Sequence, residues 1–239
     1  MSAPLASEGF AVLDFAGNRF RQDDSIEYIL AWLSLLPHAA LVAQAAVVYS
    51  RREVHQALLF LGTLLNALLT KVLKSLVSDP RPAERCVQLD TCGEHGLPSS
   101  HTSLSFYLVA IILLSILRTK EYSPDPKASS IDHLGLARAW QALEALAALA
   151  TASAVGVSRV QLGYHTWAQV IAGAGQGVVF GTVWHAATVR IVAPALRPLL
   201  GLRLVRALGV RDSLCLTWPT EAERALCEQG SEPDTKKRR

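Results

Sequence analysis

The chain has 239 residues, 51% of them apolar and 18% charged, with a formal net charge of +3 and a mean hydropathy of +0.27. That balance excludes an ordinary water-soluble domain and describes an integral membrane protein. Residues 1–27 come first and are polar, with Glu8, Asp14, Asp23 and Asp24; they lack the apolar core and small-residue cleavage site of a signal peptide, so no cleaved leader is expected. Five apolar stretches follow at 28–49, 57–77, 103–117, 143–157 and 166–189. Each is predicted helical, because a lone segment in lipid can satisfy its backbone only as a helix. The expected fold is all-α, a polytopic membrane helix bundle of about five transmembrane helices. It divides into an N-terminal segment 1–27, a membrane domain 28–194 and a tail 195–239.

Lys and Arg in short connections accumulate on the cytoplasmic side. Arg51 and Arg52 follow the first span, Arg118, Lys120, Lys127 and Arg138 follow the third, and Arg190, Arg197, Arg203, Arg206 and Arg211 follow the fifth. With five spans these groups share one face. The N-terminal segment, the 79–97 loop and the 156–165 turn share the other.

On that second face, three segments carry basic or imidazole residues at the edge of an apolar run. They read Lys74-Ser75-Leu76-Val77-Ser78-Asp79-Pro80-Arg81-Pro82, then Pro98-Ser99-Ser100-His101, then Ser158-Arg159-Val160-Gln161-Leu162-Gly163-Tyr164-His165. Lys74 and Arg81 lie about two helical turns apart, so a helix running to Pro80 and Pro82 would show both cations on one side. Pro98, Ser99 and Ser100 open a helix whose free N–H groups and positive dipole end favour a phosphate. Arg159 can make a forked contact to phosphoryl oxygens. A neutral imidazole at His165 can attack phosphorus, and a protonated one at His101 can donate to the leaving oxygen. Taken singly, the cations read first as interface anchors, the Pro-Ser-Ser start as a helix cap and either histidine as a hydrogen-bonded interfacial residue. Their conjunction in order on one face describes a phosphate site with its own nucleophile and acid.

At these residues the chain resembles the type 2 phosphatidic acid phosphatase family, whose signatures are Lys-x6-Arg-Pro, Pro-Ser-x-His and Ser-Arg-x5-His-x3-Asp. The match covers roughly residues 28–192. Within the family it is most similar to the dolichyldiphosphatase branch and the plant gamma-type lipid phosphate phosphatases, through Asp79-Pro80-Arg81-Pro82, Gly96-Leu97-Pro98-Ser99-Ser100-His101 and Tyr164-His165-Thr166-Trp167-Ala168-Gln169-Val170. The resemblance implies a membrane helix bundle with its site at the luminal rim. It also implies His165 as nucleophile, His101 as general acid, and Lys74, Arg81, Ser99, Ser100 and Arg159 as phosphate ligands. Two positions depart from the signatures. Ser100 replaces a common glycine and adds a hydroxyl donor, and Gln169 stands where most members carry the aspartate that orients the nucleophile. A glutamine carbonyl can still accept the imidazole N–H, though it stabilises an imidazolium less; a catalytically silent lipid-binding protein is the alternative from another class.

The implied activity is hydrolysis of a polyisoprenoid diphosphate, such as dolichyl diphosphate, to the monophosphate through a phosphohistidine, recycling the carrier for N-glycosylation. A phosphatidate phosphatase is the alternative within the class. No metal, cofactor or nucleic-acid partner is expected, because metal-assisted phosphatases bring carboxylates and the three motifs offer only Asp79. Membrane lipids and a lipid phosphate substrate are the expected partners, in the endoplasmic reticulum or, as the plant relatives would have it, the chloroplast envelope. Cys86 and Cys92 fall on the oxidising side, either bridged or as two free thiols, and Cys215 and Cys227 on the reducing side. Gly173, Gly177 and Gly181 form a small-residue stripe that lets another helix approach closely, expected to be one of the same chain rather than of a second copy. Asn66 and Lys71 face no identified partner. His38, His55, His95, His133 and His185 match no signature. The terminal Lys236-Lys237-Arg238-Arg239 resembles a dilysine retrieval signal and reads equally as a solvated tail.

Overall fold

The computed structural model describes residues 9–13, 18–121 and 131–200. Two strands, β1 (Phe10–Leu13) and β2 (Asn18–Arg21), pair antiparallel and lead into α1 (Ser25–Leu33) and α2 (Leu36–Arg51). Next come α3 (Val54–Val77), the short α4 (Cys86–Leu89), α5 (Ser100–Glu121), α6 (Ile131–Gln161) and α7 (Trp167–Ala187), which passes through a π-helical turn, Thr188–Val192, into α8 (Ala193–Leu200). Among the described residues, five helical stretches are long and apolar enough to cross a membrane: Ser25–Arg51, Val54–Val77, Ser100–Arg118, Arg138–Gln161 and Trp167–Leu196.

The sequence predicts an unbroken first helix, and the structure breaks it. Pro37 at the start of α2 has no N–H to give the carbonyl one turn back, and its ring crowds that carbonyl. Ser34 fills the break, its hydroxyl donating to Leu30 O at 3.1 Å and meeting Ser158 Oγ at 3.2 Å. The third and fourth helices outrun their apolar stretches at both ends, because polar residues flanking a span stay helical once its core is formed. The N-terminal segment, read only as polar, contains the β1–β2 hairpin.

The bundle is turned inside out relative to a soluble protein. On α3, Leu64, Leu68 and Val72 are exposed, while Asn66 and Thr70 on the opposite face are buried, as expected where the surroundings are hydrocarbon. Asn66 Nδ2 donates to Ser103 Oγ at 3.0 Å, Gln176 Nε2 donates to Asn66 Oδ1 at 3.0 Å, and Thr70 Oγ1 donates to Gln176 Oε1 at 2.9 Å. This polar layer ties α3, α5 and α7 together and gives Asn66 its partners; Lys71 is exposed. The glycine stripe packs α7 against α5 within the chain. A Cβ at Gly173 would strike the Ser99 backbone, one at Gly177 the Ser103 carbonyl, and one at Gly181 the Ala110 side chain.

Because the spans alternate in direction, the C-terminal ends of α3 and α6 and the N-terminal ends of α5 and α7 lie together. The hairpin caps that end. Phe20 and Ala31 pack with Leu89, Leu162 and Tyr164. Buried Glu27 accepts from Arg21 Nε at 3.0 Å and from Arg85 Nη1 at 2.8 Å. Cys86 and Cys92 are disulfide-bonded, which closes the α4 turn beneath the hairpin. Arg51, Arg52, Arg118, Arg138 and Arg190 sit at the opposite end. Lys127, Arg203, Arg206, Arg211, Cys215, Cys227 and the terminal basic run lie outside the described residues, as do the side chains of Lys120, His133 and Arg197.

Candidate active site

Lys74 is the last cation on α3, half-buried, and its Nζ donates to His95 O at 3.2 Å. The expectation that Arg81 shares this helix is not met. Ser78 turns left-handed at φ 53° and its N–H closes on Lys74 O at 3.0 Å, while the proline after Asp79 disfavours further helix. Arg81 instead reaches the site from the loop. Its side chain is 10% exposed and pairs with Glu94, and Nη1 donates to Tyr164 O at 3.4 Å. Burial lowers its pKa from the ordinary value while Glu94 opposes the shift.

Ser99 is fully buried and fixed from both sides, its N–H donating to Gln169 O at 3.1 Å and its hydroxyl accepting from Thr102 Oγ1 at 3.1 Å. Ser100, the first residue of α5, is exposed. The N–H groups of its first turn point out of the helix start, the usual place for an anion. His101 lies one residue on, within electrostatic reach of Arg159, His165 and Lys74.

Arg159, 3% exposed, projects from the last turn of α6. Its guanidinium stacks 3.9 Å over the Tyr164 ring and Nη1 donates to Asn18 Oδ1 at 3.1 Å. Gly163, at φ +81°, supplies the left-handed residue that ends the helix and lets the Tyr164 and His165 N–H groups return to Arg159 O, at 3.0 and 3.1 Å. His165 thus stands beside Arg159 at the mouth of α7. Burial, then the charges of Arg159, Arg81 and Lys74, hold its imidazole well below the ordinary pKa, so it is neutral near pH 7.

Gln169 fixes which nitrogen of His165 is free. Its Nε2 donates to Asp79 Oδ2 at 2.6 Å and to Pro80 O at 2.8 Å, and since both partners are acceptors the amide can point only one way. Oε1 then faces His165 Nδ1 at 3.1 Å and also accepts the Thr166 N–H at 3.2 Å, completing a capping box with Thr166. Nδ1 must carry the proton, which leaves the Nε2 lone pair for attack. Gly96 makes room, because a Cβ there would overlap the Gln169 amide.

The three motifs therefore meet at one end of the bundle. Arg81 Nε, Arg159 Nε and His101 Nε2, one from each motif, are buried without a hydrogen-bond partner among the described residues. Buried donors left this way are costly, and an oxyanion among them would satisfy all three. No group of three or more His, Cys, Asp or Glu able to hold a metal occurs among the described residues. Asp79, Asn18 and Tyr164 were not read as site residues. Asp79 was visible in the first motif, whereas Asn18 comes from a hairpin that no motif announces.

Comparison with known proteins shows the family. The PAP2 superfamily model matches residues 56–192, and the chain belongs to that superfamily. It is 30% identical over 196 residues to the lipid phosphate phosphatase gamma of Arabidopsis thaliana, covering 82% of this chain and 81% of the relative. It is also 30% identical over 176 residues to human dolichyldiphosphatase 1, covering 70% and 67%. Among solved structures, the transmembrane PAP2-type phosphatidylglycerolphosphate phosphatase of Bacillus subtilis superposes with a TM-score of 0.52 at 20% identity, over 72% of this chain and 80% of that one. The fold is that of a multi-pass membrane phosphatase, and the chain is an enzyme of the PAP2 class.

Proposed function

We propose that the protein hydrolyses a polyisoprenoid diphosphate to its monophosphate on the luminal face of the endoplasmic reticulum, recycling the lipid carrier for N-glycosylation. The observation that carries a phosphoryl-transfer reading is the set of three buried nitrogens, on Arg81, Arg159 and His101, that have no hydrogen-bond partner among the described residues, beside a neutral imidazole of fixed tautomer. The dolichyldiphosphatase relatives support the diphosphate.

His165 Nε2 attacks the terminal phosphorus and the bond to the bridging oxygen breaks. His101 gives that oxygen its proton, and the lipid monophosphate departs. Water then attacks the phosphohistidine, His101 takes the water proton, and inorganic phosphate leaves with His165 restored. Lys74, Arg81 and Arg159, with Ser99, Ser100 and the α5 N–H groups, carry the charge on the transferring phosphoryl oxygens.

The Arabidopsis relative, named for lipid phosphates, supports a phosphatidate phosphatase as the second reading. The deciding experiment offers dolichyl diphosphate, dolichyl monophosphate and phosphatidate to purified protein in excess EDTA, with and without vanadate. Fastest phosphate release from the diphosphate, insensitive to EDTA and blocked by vanadate, is expected. Faster release from phosphatidate would favour the second reading, and a requirement for added magnesium would refute the metal-free mechanism.

A further inference from the structure

His38 belongs to none of the three motifs, yet the fold places it at the site. It follows Pro37 at the break in the first span, and its ring stands edge-on to His101 with centroids 5.0 Å apart. The two rings differ in access: His38 is exposed, whereas His101 Nε2 is buried without a partner among the described residues.

A largely apolar cavity of about 340 Å³ opens between α2, α5 and α6, lined by Pro37, Leu108, Ile112, Ala148 and Thr151, with Glu144 as its one ionisable lining residue. Ser105 also borders it, and its hydroxyl donates to His101 O at 2.9 Å. The cavity therefore starts about one helical turn from His101 and runs down the bundle, away from the capped end. A largely apolar lining that begins one turn from His101, inside the membrane bundle, fits one occupant, the hydrocarbon chain of the substrate.

The order of groups along a lipid diphosphate then assigns His38. The terminal phosphate must meet His165 and the arginines, the bridging oxygen must meet His101, and the chain must enter the apolar cavity. Between bridging oxygen and chain lies the inner phosphate, and His38 stands against the His101 ring with its neighbour Pro37 on the cavity wall. Resting on the diphosphate reading above, we propose that His38 is a specificity contact that recognises the phosphate leaving with the lipid. As the bond from terminal phosphorus to bridging oxygen breaks, negative charge collects on the departing monophosphate, and an imidazole N–H there stabilises it. The leaving alcohol of a lipid monophosphate carries no such group.

The test measures kcat/KM for farnesyl diphosphate and farnesyl monophosphate in the same detergent micelles, for wild type, His38→Ala, His38→Gln and His38→Phe. A lost hydrogen bond to a charged group corresponds to ~10- to 100-fold, so the diphosphate-to-monophosphate ratio should fall by about that factor in His38→Ala. It should fall likewise in His38→Phe, which keeps a ring against His101 without a donor, and recover in part in His38→Gln. A ratio unchanged in His38→Ala and His38→Phe, even with both rates reduced, would show that His38 only packs against His101 and would overturn the assignment. A wild-type enzyme with no preference for the diphosphate would overturn the function proposed above and this contact with it. A wild-type preference that survives His38→Ala would overturn the contact alone.

Discussion

Asp79 is linked to His165 through a single amide. The carboxylate accepts from Gln169 Nε2 at 2.6 Å, and Gln169 Oε1 lies 3.1 Å from His165 Nδ1. The negative charge that the family signature would place directly on the N–H of the proposed nucleophile is here set back by one residue. It polarises the amide rather than the imidazole.

Loss of this link should appear in kcat. Gln169→Ala removes the acceptor that fixes the tautomer, and a hydrogen bond to a group becoming charged corresponds to a fall of about 10- to 100-fold. Gln169→Glu should be at least as damaging, because it sets two carboxylates against each other. Adding Asp79→Asn to Gln169→Glu supplies an amide donor facing the new carboxylate and should restore most of the rate. Steady-state kinetics of the two single variants and the double one check this; a double variant no better than Gln169→Glu would show that the Asp79 contact does not act through Gln169.

The histidines should separate by chemistry. His165→Ala should abolish turnover and with it any acid-labile phosphoenzyme trapped on quenching. His101→Ala should lose about two to four orders of magnitude with a lipid substrate, the range for a positioned general acid. That loss should shrink with a p-nitrophenyl leaving group, which needs no proton. Equal losses with both leaving groups would remove the acid role from His101.

The depressed pKa of His165 sets the direction of a pH effect on stability. The unfolded chain binds a proton at this imidazole below about pH 6.5, while the folded protein, held down by burial and three cations, does not. Below that pH the unfolded state binds more protons, so stability falls as pH falls, by at most about 1.4 kcal/mol per pH unit from this one group. Thermal unfolding in detergent at pH 7.5, 6.0 and 5.0 should show the melting temperature dropping with acid, and dropping less in His165→Asn. An equal drop in both would mean that His165 titrates normally in the folded protein.

Much of this site could be read from the chain because phosphate chemistry restricts residue types. Lys74, His101, Arg159 and His165 keep fixed local spacings, and hydropathy places their segments at span ends. What stayed hidden depends on long-range closure. Arg81 comes from a loop rather than from α3 because the left-handed Ser78 ends the helix early, a conformation that a serine does not advertise. Asn18 reaches Arg159 only through a hairpin that packs its short apolar face on Tyr164 and Leu162. His38 reaches His101 only because Pro37 breaks the first span beside it. The glycine stripe announced a close helix approach but not its partner, since the spacing alone does not name α5.

The luminal assignment and the five-span arrangement can be tested together. The Cys86–Cys92 bridge can be kept while Cys215 and Cys227 are replaced, leaving a background with no free native thiol. In it, Glu84→Cys places a single thiol on the exposed loop beside Arg85 at the site end, and Asp125→Cys places one in the connection between α5 and α6, flanked by Arg118 and Arg138. The positive-inside rule puts that connection in the cytosol. An impermeant maleimide should therefore label Asp125→Cys in sealed microsomes and Glu84→Cys only after the membrane is opened. Reversed labelling would turn the active site to the cytosol and end the luminal assignment. Labelling of both from one side would break the five-span arrangement that brings Lys74, His101 and His165 to a common membrane surface.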